Sequence, residues 1–312
     1  MGCMMRKTEK KTEKSIKIYA AIAAVILLSV VMLVGMNTCA KEKAPDTLKV
    51  DVVCQKDYWN VLDLSNMSFS NEEEAEALAQ QYLAEIEELL ELDGWWKEIN
   101  PDADTLLLNW QMANTPESYA MGNVVKSGAN TVEGSVLISI KGGGDGALAH
   151  ELAHVIGFGG KFSYALADGI CEYVQAEVGE NLYRFNQEWD WQEMWAVMFR
   201  YEYGYNEEVQ KQIEEICSYV GAVHVGYPYG QTREQVMWYQ LNHSFVRYLI
   251  EQYGLTPVKQ IALQGEDENS YEVYLGKTLE ELRQDWIDYL LNLEPDITIE
   301  DIIQYYMEIQ GN

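Results

Sequence analysis

The alternation of apolar and polar residues along the chain predicts a few strands followed mainly by helices. Short apolar runs at Leu106–Leu108 and Val136–Ile140 are typical of buried strands. Apolar residues three and four positions apart predict an amphipathic helix over Ser70–Leu92, with acidic residues in its first turn. The same spacing predicts further helices over residues 147–156, 164–178, 187–203, 207–220, 234–253, 279–293 and 299–310. This order indicates an α+β fold with a small mixed sheet and a mainly helical C-terminal part.

The first 39 residues differ in pattern from the rest of the chain. A basic segment precedes Ile18–Met36, which runs 19 residues without a charge. A helix of that length is about 28 Å long, close to the thickness of a bilayer core. The basic flank predicts a cytoplasmic N-terminus. Cys39 follows directly and resembles the lipidated cysteine of a bacterial lipoprotein signal, with an uncleaved signal anchor as the alternative.

The pattern divides the chain into four segments. We expect a leader at residues 1–39, a polar linker at 40–50, an α/β subdomain at 51–180 and a helical subdomain at 181–312. Both interpretations of the leader place the remainder on the extracytoplasmic face of the bacterial cytoplasmic membrane, with the membrane contacted through the N-terminal segment.

Charge adds a constraint on partners. The 312 residues hold 22 Lys and Arg against 50 Asp and Glu, so the formal net charge is −28. The leader carries +4 and the remainder −32. A surface this acidic repels phosphate, which argues against a nucleic-acid partner. It is typical of a soluble, solvated surface, with a preference for cationic partners as the alternative. The cysteines beyond the leader, Cys54, Cys171 and Cys217, leave the disulfide state open.

The candidate chemistry lies in the helix predicted over residues 147–156. It contains His150-Glu151-Leu152-Ala153-His154, and histidines four residues apart share one helix face, so both can bind one metal ion. Glu151 is rotated by about 100° from His150 and can hold a metal-bound water. Zinc lowers the pKa of that water to about 7, and the Glu151 carboxylate takes its proton during attack on a carbonyl.

A catalytic zinc ion needs a third protein ligand and leaves a fourth position for water. No histidine follows closely after His154, so a carboxylate on the next predicted helix is the natural candidate. Asp168 and Glu172 lie four residues apart on one face of that helix, and either can reach toward the metal.

These two helices resemble those of the gluzincin zinc metallopeptidases, the superfamily that includes thermolysin and the zinc aminopeptidases. Its members carry the same His-Glu-x-x-His helix and a second helix with a motif like Glu-Gly-x-x-Glu-Tyr. Aligned on Gly169, the resemblance implies that Asp168 is the third zinc ligand and that Glu172 orients a zinc-bound histidine; Glu172 is the alternative ligand. Here Asp replaces the family's Glu, and the spacer after His154 is shorter. We expect the small sheet to pack on the zinc-binding helix.

A second segment, Tyr239–Leu249, resembles the aminopeptidase stretch that begins with a catalytic tyrosine. The resemblance implies that the Tyr239 phenol donates a hydrogen bond to the oxyanion of the tetrahedral intermediate, with Tyr248 and Tyr229 as alternatives. His243 is either a polar helix residue, which we favour, or a second oxyanion donor. His224 is expected to be a structural or rim residue and not a catalytic one.

One aminopeptidase motif is missing. Thr131–Ser135 stands where those enzymes carry Gly-x-Met-Glu-Asn, which grips the substrate amino terminus, so endopeptidase and exopeptidase action both stay open. Val136–Ile140 could still be an edge strand that pairs with an extended peptide. The tryptophans at 189, 191 and 195 have spacing that favours core packing over a ligand-binding wall.

Together these features predict an extracytoplasmic, membrane-anchored zinc peptidase that binds one Zn²⁺ through His150, His154 and Asp168. Glu151 would be the general base and Tyr239 the oxyanion donor. Two alternatives stay open: a weakly active or inactive binding or sensing protein on the gluzincin scaffold, and a metal-dependent hydrolase of a non-peptide amide.

Overall fold

A computed structural model describes most of the chain beyond the leader. The described residues are 47–54, 58–65, 67–114, 118–120, 124–140, 146–158, 165–179, 189–223, 232–265 and 267–310. Residues 47–312 form one compact unit. The leader, His224 and Tyr229 lie outside the described residues, so the predictions for them stay predictions. Within the described ranges, none of the helices combines the length and apolar character needed to cross a bilayer.

One mixed sheet organises the N-terminal half. Its strands are β1 (Lys49–Val53), β2 (Thr105–Ala113), β3 (Tyr119–Ala120), β4 (Val125–Lys126) and β5 (Thr131–Ser139). β1 pairs with β2 and β2 pairs with β5, both in parallel, whereas β3 and β4 run antiparallel to β5. The strand order is β1-β2-β5-β3, with β4 also on β5. α-Helices 58–61 and 72–89 lie between β1 and β2, and the other α-helices of the described residues follow β5, which confirms the predicted α+β class.

β5 is an interior strand, so the expected edge strand at Val136–Ile140 is wrong. β2 pairs with β5 along residues 131–139, and β3 pairs with Val136 and Leu137 on the other side. β3 and β4 are two residues long each, too short to leave an apolar pattern that sequence could reveal. β3 therefore stands at the end of the strand order where β5 was expected.

The helices among the described residues follow the predicted order. They are α1 (Tyr58–Val61), α2 (Glu72–Leu89), α3 (Gly146–Ala153), α4 (Ala165–Glu177), α5 (Trp191–Tyr203), α6 (Glu207–Cys217), α7 (Thr232–Tyr253), α8 (Leu255–Gln264), α9 (Asn269–Leu275), α10 (Leu279–Asn292) and α11 (Ile299–Gln310). α3 continues without a break into a π-helical turn, His154–Phe158. α1, α8, α9 and β1 were not predicted, and β1 begins inside the segment expected to be a linker.

α2 covers the outer edge of β1 with side chains. The Gln80 carboxamide accepts from Val50 N at 2.7 Å and donates to Leu48 O at 2.9 Å, which reproduces the pairing of a neighbouring strand. Glu76 accepts from Val52 N at 3.3 Å. These contacts satisfy backbone groups that β1 would otherwise leave unpaired beside a helix.

The sheet packs closely on α3 and its π turn. Every second residue of β2 and β5 points to the buried face of the sheet. The fully buried residues on this face include Leu106, Leu108, Val132 and Val136. The approach is close at Gly134, because a Cβ there would lie 2.6 Å from Val155 Cγ1. The absent side chain lets the helix that carries both histidines lie against the sheet, which confirms the expected packing.

α4 and α7 cross in equally close contact at Gly169. A Cβ on Gly169 would lie 2.8 Å from Val246 Cγ2 and 2.9 Å from the Asn242 carbonyl oxygen. The carbonyl belongs to helix backbone and cannot rotate away, so an added methyl group must push the two helices apart. This crossing brings the helix of Asp168 against the helix of Tyr239.

Gly169→Ala is therefore expected to destabilise the fold by about 1–3 kcal/mol through overpacking. Urea unfolding followed by circular dichroism measures the change. Gly128→Ala is the matched control, because a Cβ there meets only Thr131 at ordinary contact distances from 3.5 Å. Equal stability of the two variants would contradict the close helix crossing.

Candidate metal centre

The two histidines and Glu151 converge at the junction of α3 and its π turn. The ligand-type atoms of His150, Glu151 and His154 all lie within 4.8 Å of one another. All three side chains are buried, with 5 to 8% of each residue exposed. The one-turn spacing therefore yields the shared face that the sequence predicts.

The imidazoles present the same nitrogen to one point. His150 Nε2 and His154 Nε2 lie 3.2 Å apart, and Asp168 Oδ1 lies 3.1 Å from His154 Nε2. With zinc–nitrogen bonds of 2.0–2.1 Å, the edge of a tetrahedral coordination sphere is about 3.3 Å. Both observed separations are close to such an edge, and the group of His150, Glu151 and His154 could hold a metal ion. Asp168 contacts His154 but lies outside the group whose ligand-type atoms are all within 4.8 Å of one another.

Glu172 contacts the opposite nitrogen of His150. Its Oε1 lies 3.2 Å from His150 Nδ1, whereas the nitrogen of His150 near His154 is Nε2. A carboxylate at Nδ1 orients a ligating imidazole and leaves its Nε2 lone pair free for a metal. Asp168 and Glu172 thus contact different histidines at different ring nitrogens. The assignment of one as the ligand and the other as the orienting residue stays a prediction.

The charges in this pocket favour a cation. Burial lowers the pKa of His150, but Glu172, Glu151 and Asp168 outweigh it and raise the pKa to about 9. Burial also lowers the pKa of His154, yet its contacts with Cys171 and Asp168 raise it to about 10. Protons on the imidazoles would balance the buried carboxylates without a metal, and a divalent cation supplies the same compensation.

The Cys171 side chain contacts His154. It is fully buried on α4, three residues after Asp168, and burial raises the pKa of its thiol to about 11. The expectation of a small buried residue is confirmed. Its contact with His154 was not predicted, although the shared helix face with Asp168 is the signal that could have revealed it.

Tyr239 lies beside the histidines. Its ring centroid is 6.4 Å from that of His150, with the ring planes 74° apart, and the side chain is half-buried. Tyr248 lies nine residues later on α7, about 13 Å along the axis, where its ring packs 5.2 Å from Tyr289. Of these two tyrosines, only Tyr239 has a described ring contact with the metal-site histidines.

His243 stands in an aromatic cluster one turn after Tyr239. Trp195 Nε1 donates to its Nδ1 at 3.2 Å, and Trp191 and Tyr173 flank the ring. Burial lowers the pKa of His243 to about 3, so the ring stays neutral. These contacts agree with the favoured role as a polar helix residue.

The remaining candidates take structural positions. Met194, Trp195 and Val197 of α5 form a small second core with Ile302 of α11, and the tryptophans at 189 and 191 pack against it. This supports core packing for the tryptophans. Cys171 and Cys217 are free thiols, so no disulfide joins Cys54 to Cys217.

Comparison with known proteins adds no relative. No protein-family model, curated protein or solved structure matches this chain.

Proposed function

We propose that the protein is a zinc-dependent peptidase. The observation that carries the proposal is the convergence of His150, His154 and Glu151, with Asp168 Oδ1 3.1 Å from His154 Nε2. The resemblance to gluzincins supports the same reaction class. The leader supports a further proposal, that the enzyme acts at the extracytoplasmic face of the bacterial membrane as a lipoprotein at Cys39 or through a signal anchor.

Each residue of the centre has a separate task. A zinc ion held by His150, His154 and Asp168 would act as a Lewis acid toward the scissile carbonyl and the attacking water. Glu151 would accept a proton from that water on a carboxylate oxygen and pass it to the leaving nitrogen. Tyr239 would donate its phenol proton in a hydrogen bond to the developing oxyanion. Glu172 would hold the Nδ1 proton of His150.

The sheet and the surface charge support a peptide as the substrate. β3 lies at one end of the strand order and contacts α3, the helix that carries His150 and Glu151. An extended peptide can add to such an edge through main-chain hydrogen bonds. The net charge of −32 beyond the leader would attract cationic peptides.

One observation favours a second candidate, a binding or sensing protein with little activity. The group of ligand-type atoms within 4.8 Å contains His150, Glu151 and His154 but not Asp168. An aspartate is shorter than the glutamate of the resembled family, and a weakly held third ligand would lower metal occupancy. Such a protein would keep the gluzincin-like fold and have little or no catalytic activity.

Metal removal tests the proposal on the full-length protein in detergent. We expect about one zinc per chain, and we expect phenanthroline to lower cleavage of a mixed peptide library by at least 100-fold, since zinc both activates water and polarises the carbonyl. Added zinc should restore cleavage, and added magnesium should not. Elemental analysis and mass spectrometry of the peptides measure both quantities.

Two outcomes would contradict the proposal in different ways. Undiminished cleavage by the metal-free protein would reject the zinc mechanism. Zinc below half an equivalent under metal-replete conditions, with no peptide cleaved, would favour the binding or sensing protein.

A further inference from the structure

A buried turn between α6 and α7 touches the start of the helix that carries Asp168. We call residues 218–223 the 218–223 turn; Val220, Ala222 and Val223 in it are buried. Its Ala222 carbonyl accepts a hydrogen bond from Leu166 N at 3.2 Å. Leu166 is the second residue of α4, where the first-turn N–H groups have no partner within the helix. The turn therefore caps α4 two residues before Asp168.

Other helices hold the two preceding carbonyl groups of the same turn. Arg283 Nε of α10 donates to Val220 O at 2.8 Å, and the Tyr271 hydroxyl of α9 donates to Gly221 O at 2.5 Å. Three consecutive carbonyls thus receive donors from α10, α9 and α4 in order. Both side chains are buried, so water cannot easily replace either donor.

Asn242 of α7 completes the attachment. Its Oδ1 accepts from Gly221 N at 2.9 Å, and its Nδ2 donates to Trp238 O at 2.8 Å. The Asn242 backbone is also the surface that Gly169 approaches. One residue thus links the 218–223 turn to the crossing of α4 and α7.

Gly221 restricts the backbone conformation of the 218–223 turn. Its φ is +72°, and a Cβ there would lie 2.4 Å from Phe245 Cε1. The turn is therefore confined by a left-handed residue, by the Phe245 ring and by the donors around it.

We propose that the 218–223 turn sets the position of Asp168, and that Tyr271 and Arg283 are positioning residues for the metal centre although neither lies on its helices. A shift of the turn moves the capped end of α4, which displaces Asp168 relative to His154. Helices from the last 45 residues of the chain would thereby control the third ligand.

Tyr271→Phe tests the proposal because it removes one hydroxyl and keeps the ring. It leaves Gly221 O buried without its donor. Burial raises the pKa of Tyr271, so the wild-type hydroxyl stays a donor at all working pH values. Arg283→Met acts on the neighbouring carbonyl and provides an independent second variant. Ile302→Ala is the control, because it empties space in the second core around α5 and α11.

Two measurements on the full-length protein separate positioning from general destabilisation. Hydrogen exchange of the metal-free protein should show faster exchange in residues 166–172 for Tyr271→Phe and Arg283→Met, but not for Ile302→Ala. Titration with zinc against a chromophoric chelator should show about 10-fold weaker binding for the first two variants and wild-type binding for the control.

The zinc titration depends on the proposed metal site, whereas the exchange measurement does not. Failure of the wild-type protein to bind zinc would reject the metal site, and exchange would still decide the role of the turn. The proposal is overturned if exchange in residues 166–172 is unchanged in both variants, or if Ile302→Ala accelerates it equally.

Discussion

Glu151→Gln is expected to lower peptide cleavage by about 10³-fold or more while the protein retains its metal. General bases contribute about 10²–10⁴-fold, and an amide cannot accept the water proton. The substitution keeps the size of a side chain that is 5% exposed, so the packing of α3 should survive. Single-turnover cleavage of the best library peptide, together with zinc analysis, measures both effects.

Glu177→Gln is the matched control for that experiment. Glu177 is an exposed glutamate at the end of α4, so the same chemical change should leave cleavage at the wild-type rate. Cleavage by Glu151→Gln at the wild-type rate would reject Glu151 as the base. Loss of zinc from that variant would instead make Glu151 a ligand.

Asp168→Asn and Glu172→Gln are expected to weaken zinc binding by different amounts. Asp168 Oδ1 lies 3.1 Å from His154 Nε2, so loss of its charge would remove the proposed third ligand. Glu172 faces His150 Nδ1, so its loss removes only an orienting contact. We expect a 10- to 100-fold weaker affinity for Glu172→Gln and a larger loss for Asp168→Asn.

Competition with a set of chelators of graded affinity measures this difference. Circular dichroism of the metal-free variants provides the control for folding. The reverse order of affinities would make Glu172 the third ligand, and wild-type affinity in both variants would remove α4 from the metal site.

Sequence periodicity predicted the helices that bury one clear face. α11 has the predicted bounds, and α10 begins at the predicted residue because Thr278 and Glu281 form a capping box. α8 was missed because Gly254 and Pro257 indicate a break, although proline is tolerated in a first turn. β1 was missed although its Lys-Val-Asp-Val-Val alternates as a strand does, because the linker was expected to extend to residue 50.

The site was predictable where it depends on neighbours along one helix. The faces shared by His150 with His154 and by Asp168 with Glu172 follow from the helical repeat alone. Which carboxylate faces Nε2 and which faces Nδ1 depends on how α4 meets α3, and no local pattern records that orientation. The 218–223 turn was beyond prediction for the same reason, because its donors come from residues up to 63 positions away.

The Gln80 contact with β1 also bears on self-association. A bare strand edge offers a row of donors and acceptors to any extended chain, and two such edges allow sheets to join into polymers. In this sheet the β1 end is occupied by a carboxamide that uses both of its polar atoms on the strand. A strand from another molecule can therefore add only at the β3 end of the sheet. Because the β1 end is blocked, strand addition cannot continue from molecule to molecule into a linear polymer.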